Sequence, residues 1–402
     1  MPSRRQILAG AVGAGGFGAA VAGVRTVSSD GLQLAASDWP MPRYDAAGTG
    51  HNPAGSGPAD DAAVRWEQSA NGAVFGSPTP ILVDGTLITA GGGSFAAFDA
   101  ETGEKRFERS VSYSSAPAWV GSDIYRTGTL AVTGPEGVFG LNAGGGYDLA
   151  GWSVGAERWH APRLDSAGGL FGAATGRAPV AVGGTVIAAV PGTRRFVALD
   201  GDSGRIEWRH EVGDTGGDPL LRPVVRDGVA YLASWPNDLH AVEVESGDSL
   251  WEVELDADEI LSPTATSEGI VVPDWNAVLL VDPEDGHTRW TYDYDGNATD
   301  WSAAVANDTV FLTDGDGFLH AIDLASGDEV WSTETSRQSA PVVADGVVYI
   351  STLGEATISA FDVGSGDRLW TRDGPVGPSQ PIVGDGVLFV AGYDRTVALE
   401  EA

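Results

Sequence analysis

The chain has 402 residues and a formal net charge of −33, and Lys105 is the only lysine among its 23 basic residues. No basic stripe is available to bind phosphate, which excludes nucleic acid as a partner. The absence of cysteine excludes disulfides, thiolate metal sites and a lipid attached through a cysteine. Excess carboxylates with almost no lysine are the composition of proteins from high-salt archaea. In molar salt the Debye length is about 3 Å, so a dense acidic surface is tolerated and stays hydrated.

Residues 1–23 read as a twin-arginine export signal. Ser3-Arg4-Arg5-Gln6-Ile7-Leu8 precedes a Gly/Ala-rich apolar stretch, and Ala20-Val21-Ala22 offers a small-residue cleavage site. The stretch is short for a membrane span, and an uncleaved anchor is the alternative. The expected destination is the cell exterior or the envelope. Residues 24–61 are polar and rich in Gly, Pro and Ser, the composition of a flexible lead-in. His51, within it, has no visible metal partner and reads as packing or solvent-facing.

From residue 62 the chain becomes periodic. Two-residue turns fall between apolar, β-branched runs at Asp84-Gly85, Gly183-Gly184, Asp227-Gly228, Glu268-Gly269, Asn307-Asp308, Asp345-Gly346 and Asp385-Gly386. Asp-Gly suits a type I′ hairpin because both central residues need positive φ. The last six turns are spaced 44, 41, 39, 38 and 40 residues apart, and an aromatic ends each unit. A four-stranded meander recurring about every 40 residues is a propeller blade. The final repeat stops at three strands, whereas Val64-Arg65-Trp66-Glu67 reads as a closing strand with no blade before it. That strand is expected to complete the last blade, since an open ring would expose strand edges. The closing aromatics Trp66, Phe107, Trp159, Trp208, Trp251, Trp290, Trp331 and Trp370 then predict an all-β, eight-bladed propeller over 62–402, expected to be a monomer.

The repeat Ala360-x-Asp362-x-x-Ser365-Gly366-x-x-x-Trp370 resembles the tryptophan-docking motif of the quinoprotein (PQQ-type) propeller family. Copies run from Ala97 to Phe107, Ala198 to Trp208, Ala241 to Trp251 and Ala321 to Trp331, with a looser one at Asp282, Asp285-Gly286 and Trp290. The resemblance implies that the aromatic packs between neighbouring blades. Trp39-Pro-Met-Pro-Arg-Tyr-Asp45 and Thr49-Gly50-His51-Asn52-Pro53 also resemble the lead-in of these propellers, which implies that this stretch lies against the ring before the first strand. It also includes the propeller subunit of the bacterial β-barrel assembly machinery, which shares the repeat and holds no cofactor.

The second blade is irregular: the excess length lies between Arg126 and Gly176 and reads either as a specificity loop or as long, tolerated hairpins. Loops joining the second and third strands, together with inter-blade loops, are expected on one face. That face carries the ligand candidates Trp235, Trp275, Trp301 and Tyr393, while Arg177 and Arg222 begin two innermost strands and are candidates for the axial channel. Asp293-x-Asp295-Gly296-Asn297 has alternate oxygen ligands like part of a calcium loop, without the closing Glu of a full one. His240 and His320 recur at one repeat position and read as structural.

Two functions follow. The first is a non-catalytic binding scaffold at the cell envelope that holds a protein or small ligand on one face; a glycan- or peptide-binding module differs from it only in ligand. The second is a PQQ-dependent quinoprotein dehydrogenase. Such enzymes resemble this chain in blade count and docking motif, and also carry adjacent cysteines, a Glu/Asn/Asp set on calcium and a catalytic Asp. The cysteines are absent here and the other residues cannot be placed, so the expectation is no enzyme, no catalytic residue and no bound PQQ or calcium.

Overall fold

The computed structural model describes residues 34–402 apart from 70–78, 92–93, 111–112, 114, 146, 150–151, 165–167, 170–171, 174–176, 213–219, 297–301, 337–338 and 353. Residues 1–23, read above as an export signal, and Asn297 and Trp301 therefore lie outside the described residues. Among the described residues no helix is long and apolar enough to cross a membrane.

Eight four-stranded antiparallel sheets form the eight blades. Blade one spans 81–110, blade two 118–163, blade three 180–211 and blade four 224–254. Blades five, six and seven span 264–293, 304–334 and 342–373. Blade eight takes three strands from 382–401, and Ala62–Ser69 pairs with Arg395–Glu401 as its fourth. The chain thus closes on itself, and Glu401 reinforces the seam by accepting the backbone N–H groups of Ala59, Asp60 and Asp61.

The hairpins follow their turn chemistry. Asp84, Asp227, Asp345 and Asp385 have φ between 45° and 51°, and the glycine after each is also positive, as type I′ requires. Blade five differs: its innermost strand is only Thr264–Ala265, and the Thr266 hydroxyl accepts the N–H groups of Glu268 and Gly269 to close a longer turn. The extra length around blade two includes two short hairpins, Tyr147–Leu149 with Trp152–Val154 and Gly168–Gly169 with Gly172–Ala173.

The docking motif acts as a mechanical unit. The motif alanine stands directly across from the tryptophan on the next strand: Ala198 opposite Trp208, Ala241 opposite Trp251, Ala321 opposite Trp331 and Ala360 opposite Trp370. The motif aspartate caps the turn; Asp362 Oδ1, for example, accepts the N–H groups of Gly364 and Ser365. The motif glycine then lies flat on the tryptophan of the preceding blade. A Cβ on Gly204 would sit 2.7 Å from the Trp159 ring, and one on Gly366 would sit 2.6 Å from that of Trp331. The indole N–H donates into the same neighbouring turn: Trp159 to Gly201 O, Trp208 to Val244 O, Trp290 to Leu324 O and Trp331 to Val363 O, at 2.8–3.0 Å. Each tryptophan therefore contributes buried area and one saturated polar group to an inter-blade seam.

Blade two keeps this mechanism with different residues. Gly140 stands where the motif alanine would be, with Trp159 filling its Cβ position, and Gly145 lies on the ring of Phe107. The spacing of these glycines hides them from a motif search.

Candidate functional site

A four-stranded blade has a free inner edge facing the propeller axis, and unpaired edge groups are costly unless covered. Here the lead-in covers them. Trp39 and Leu82 exchange both backbone hydrogen bonds. The N–H groups of Trp119, Val225, Ala265, Val305 and Val343 donate to the carbonyls of Pro40, Ala46, Ala47, Thr49 and Gly50 at 2.8–2.9 Å. Gly386 N–H then donates to Ser56 O. The segment makes a circuit of the axis and bonds seven of the eight blades; Met41 packs into the apolar cluster of the remaining one, with Val180 and Ala181. Composition points to a flexible segment here, whereas the resemblance to the quinoprotein lead-in places it against the ring; residues 38–56 follow the resemblance, because their carbonyls accept inner-strand N–H groups.

The turn that steers this circuit is strained and charged. Arg43 and Tyr44 have φ of 65° and 73°, a region that non-glycine residues seldom adopt. The Asp45 carboxylate holds the turn by accepting the Thr49 N–H and hydroxyl. The Arg43 guanidinium is fully buried and donates to Pro341 O and Ala303 O, both at 2.7 Å, just ahead of the inner strands of blades seven and six. Arg222 donates to Asp45 O at 3.1 Å. Burial pushes the two guanidiniums down, to about 9 and about 10. Arg222 is thus an axial residue, and its partner is the lead-in backbone. Arg177 is half-buried at the approach to blade three, its carbonyl accepting the Thr133 hydroxyl.

The loops between second and third strands meet the inter-blade loops on one face. The Asp274 carboxylate accepts the N–H groups of Asp258 and Glu259, and Tyr294 N–H donates to Asn276 O. Asp314 accepts three backbone N–H groups and contacts His320 Nε2 at 3.3 Å. Trp275 is 42 % exposed, in a loop of blade five, and Phe318 is 39 % exposed, at the start of the strand Phe318–Asp323 in the adjacent blade six. The loops of this face also carry the exposed carboxylates Asp256, Asp258, Asp293, Asp295 and Asp316. Trp235 is half-buried and packs into the blade four and five core, while Tyr393 is half-buried against Gly377. Asp293 and Asp295 flank the buried Tyr294 and point to solvent.

A second cluster lies in the cleft between blades three and four, where His210 Nε2 is 2.9 Å from His240 Nδ1 and Glu252 lies 3.7 Å from that same Nδ1. A histidine two residues beyond a docking tryptophan, and another just before the next motif alanine, is the sequence signal for this pairing.

These features define a closed, eight-bladed propeller of PQQ-like repeats. The family model described as outer membrane protein assembly factor BamB matches residues 58–162, 147–292 and 274–402, and the chain belongs to that family. Among individual relatives, an outer membrane protein assembly factor BamB from Shewanella oneidensis is 23 % identical, the match covering 73 % of this chain and 62 % of the relative. The Escherichia coli BamB is 26 % identical over 39 % of this chain and 42 % of its own length. The matched region is therefore less than two thirds of these relatives' length. Solved structures of the same fold include BamB from Moraxella catarrhalis, with a TM-score of 0.62, 14 % identity and coverage of 85 % of this chain and 98 % of that one. The quinohemoprotein alcohol dehydrogenase from Comamonas testosteroni also matches, with a TM-score of 0.68, 14 % identity and coverage of 91 % and 81 %.

Proposed function

We propose that this protein is a non-catalytic binding scaffold of the cell envelope that holds a partner protein on the loop face of blades four to six. The observation that carries this reading is two exposed aromatics on adjacent blades, Trp275 and Phe318, accompanied by solvent-facing carboxylates on the same face. Such a surface suits a basic or backbone-rich segment, with cation–π contact to the rings and carboxylate pairing around them. The relatives named as assembly factors support a binding role.

Two observations weigh against the dehydrogenase reading, which needs a quinone and its calcium at one mouth of the channel. The lead-in takes the inner edges of six blades and the hairpin turn of blade eight, and the axial guanidiniums of Arg43 and Arg222 already donate to backbone carbonyls. There is also no cysteine for the pair those enzymes carry. These features favour the scaffold over the dehydrogenase, and the similarity to dehydrogenases is one of fold.

The experiment is site-specific photo-crosslinking in cells from position 275, compared with a probe on the opposite face at position 346. A discrete adduct from 275 that is lost with Phe318→Ser supports the scaffold. Calorimetric titration with PQQ in high salt, with and without calcium, tests the alternative: calcium-dependent micromolar binding would replace the scaffold reading.

A further inference from the structure

Strand geometry brings two imidazoles and a carboxylate together. Along blade three's outer strand, Trp208 and His210 point the same way, toward blade four, because side chains alternate with a period of two. In blade four, His240 stands directly opposite Glu252 on the neighbouring strand, so both emerge on one face. The docking of Trp208 against the Val244–Gly247 turn sets the spacing of the two blades. We propose that His210 Nε2, His240 Nδ1 and the Glu252 carboxylate form a site for one divalent transition-metal ion, such as zinc, that clamps blade three to blade four.

The geometry fits. Tetrahedral zinc holds nitrogen and oxygen ligands at about 2.0–2.1 Å, which places ligand atoms about 3.3 Å apart. The two distances here, 2.9 and 3.7 Å, bracket that value, and all three ligand atoms lie within 4.8 Å of one another. The rings cross at 80°, so each directs a different nitrogen edge at the shared point. Burial pushes both imidazoles below their ordinary value, which favours the neutral form that ligates metal. His240 is 8 % exposed whereas Glu252 is solvent-facing, leaving the fourth position open to water.

The same repeat position two blades later supplies an internal control. His320 corresponds to His240, but Tyr292 stands where His210 does. There the phenol donates to Glu329, and His320 Nε2 lies 3.3 Å from Asp314. That pocket is a hydrogen-bonded network with one imidazole; the cleft between blades three and four has two.

The test is cobalt titration of the untagged chain in molar salt, which screens the acidic surface, read by visible absorption. One equivalent should give the strong visible band of four-coordinate cobalt, and zinc should displace it. His210→Asn and Glu252→Gln, both on accessible side chains, should lower the affinity by at least the roughly 10–100-fold that loss of even a supporting contact costs. His320→Gln should leave it unchanged, and near-UV circular dichroism checks that each variant is folded. A band that survives His210→Asn, or folded protein that takes up cobalt weakly at many sites with no such band, would overturn the proposal.

Discussion

The indole N–H of Trp370 donates to the carbonyl oxygen of Pro58, 3.0 Å away and 312 residues earlier in the chain. In blades three to six the equivalent indole donates to the turn between the third and fourth strands of the following blade. After blade seven that turn does not exist, because blade eight's third and fourth strands come from opposite ends of the chain. Pro58 takes its place. Trp370→Ala should therefore destabilise the ring by about 3–5 kcal/mol, the usual cost of emptying a buried aromatic site. Trp370→Phe should cost roughly 1 kcal/mol or more for the lost hydrogen bond and volume. Urea unfolding at fixed high salt measures both; an unchanged midpoint for Trp370→Ala would mean that the seam is not held there.

The motif glycines differ from the hairpin glycines in what a methyl group would meet. Gly204 and Gly346 both have positive φ, at 67° and 78°, but a Cβ on Gly346 has nothing within 4 Å whereas one on Gly204 strikes Trp159. Gly346→Ala should cost only the left-handed backbone penalty, roughly 1–2 kcal/mol. Gly204→Ala should add about 1–3 kcal/mol of overpacking against the indole. Equal losses in the two variants would show that the ring yields to the methyl group.

Acid should weaken the turns that carry the docking motif. Arg106 hydrogen-bonds Asp99 and lowers its carboxyl to about 2, with Thr102 assisting. The Ser203 hydroxyl and N–H lower Asp200, and backbone and side-chain groups of Ser326 lower Asp323. A carboxylate held below its unfolded value contributes stability that is present above that value, near 3.8, and lost as pH falls through the folded value. Thermal stability should therefore drop between about pH 4 and 2, and Asp99→Asn should flatten that drop. These groups are partly exposed, so the slope should shrink in high salt.

Arg43 should not be replaceable by lysine. Its planar fork reaches Pro341 O and Ala303 O together, which an ammonium on a single stem cannot reproduce. Leaving one buried carbonyl unpaired costs about 1–3 kcal/mol, so Arg43→Lys should lower the unfolding midpoint clearly. Arg177→Lys, at a half-buried position, should change it little. Similar midpoints for the two would indicate that the lead-in circuit does not depend on this residue.

Much of the ring was legible before any coordinates. Asp345-Gly346 and its counterparts announce hairpins because few residue pairs tolerate two positive φ values, and the motif from Ala360 to Trp370 marks a blade seam because the indole needs a small residue opposite and a glycine beneath. Closure followed from a strand at Trp66 with no blade of its own. Gly140 and Gly145 were hidden because blade two spaces its small residues differently. For the lead-in, composition alone was misleading because Gly, Pro and Ser describe a chain without regular structure, and such a chain can still bond to free strand edges; its resemblance at Trp39–Asp45 pointed to the ring.

The order of turns, strands and docking aromatics is local chemistry repeated along the chain, so the amino-acid sequence by itself determined blade number, blade content and closure. Trp275 and Arg222 were legible as candidates from their repeat positions, whereas the contacts that join residues far apart in sequence were decided only by the tertiary structure. Arg43 meets Pro341 because the lead-in circles the axis, Pro58 meets Trp370 because the ring closes, and His210 meets His240 because Trp208 sets the gap between two blades. Each of these contacts depends on blade spacing and axial radius, which are properties of the closed ring and belong to no single repeat.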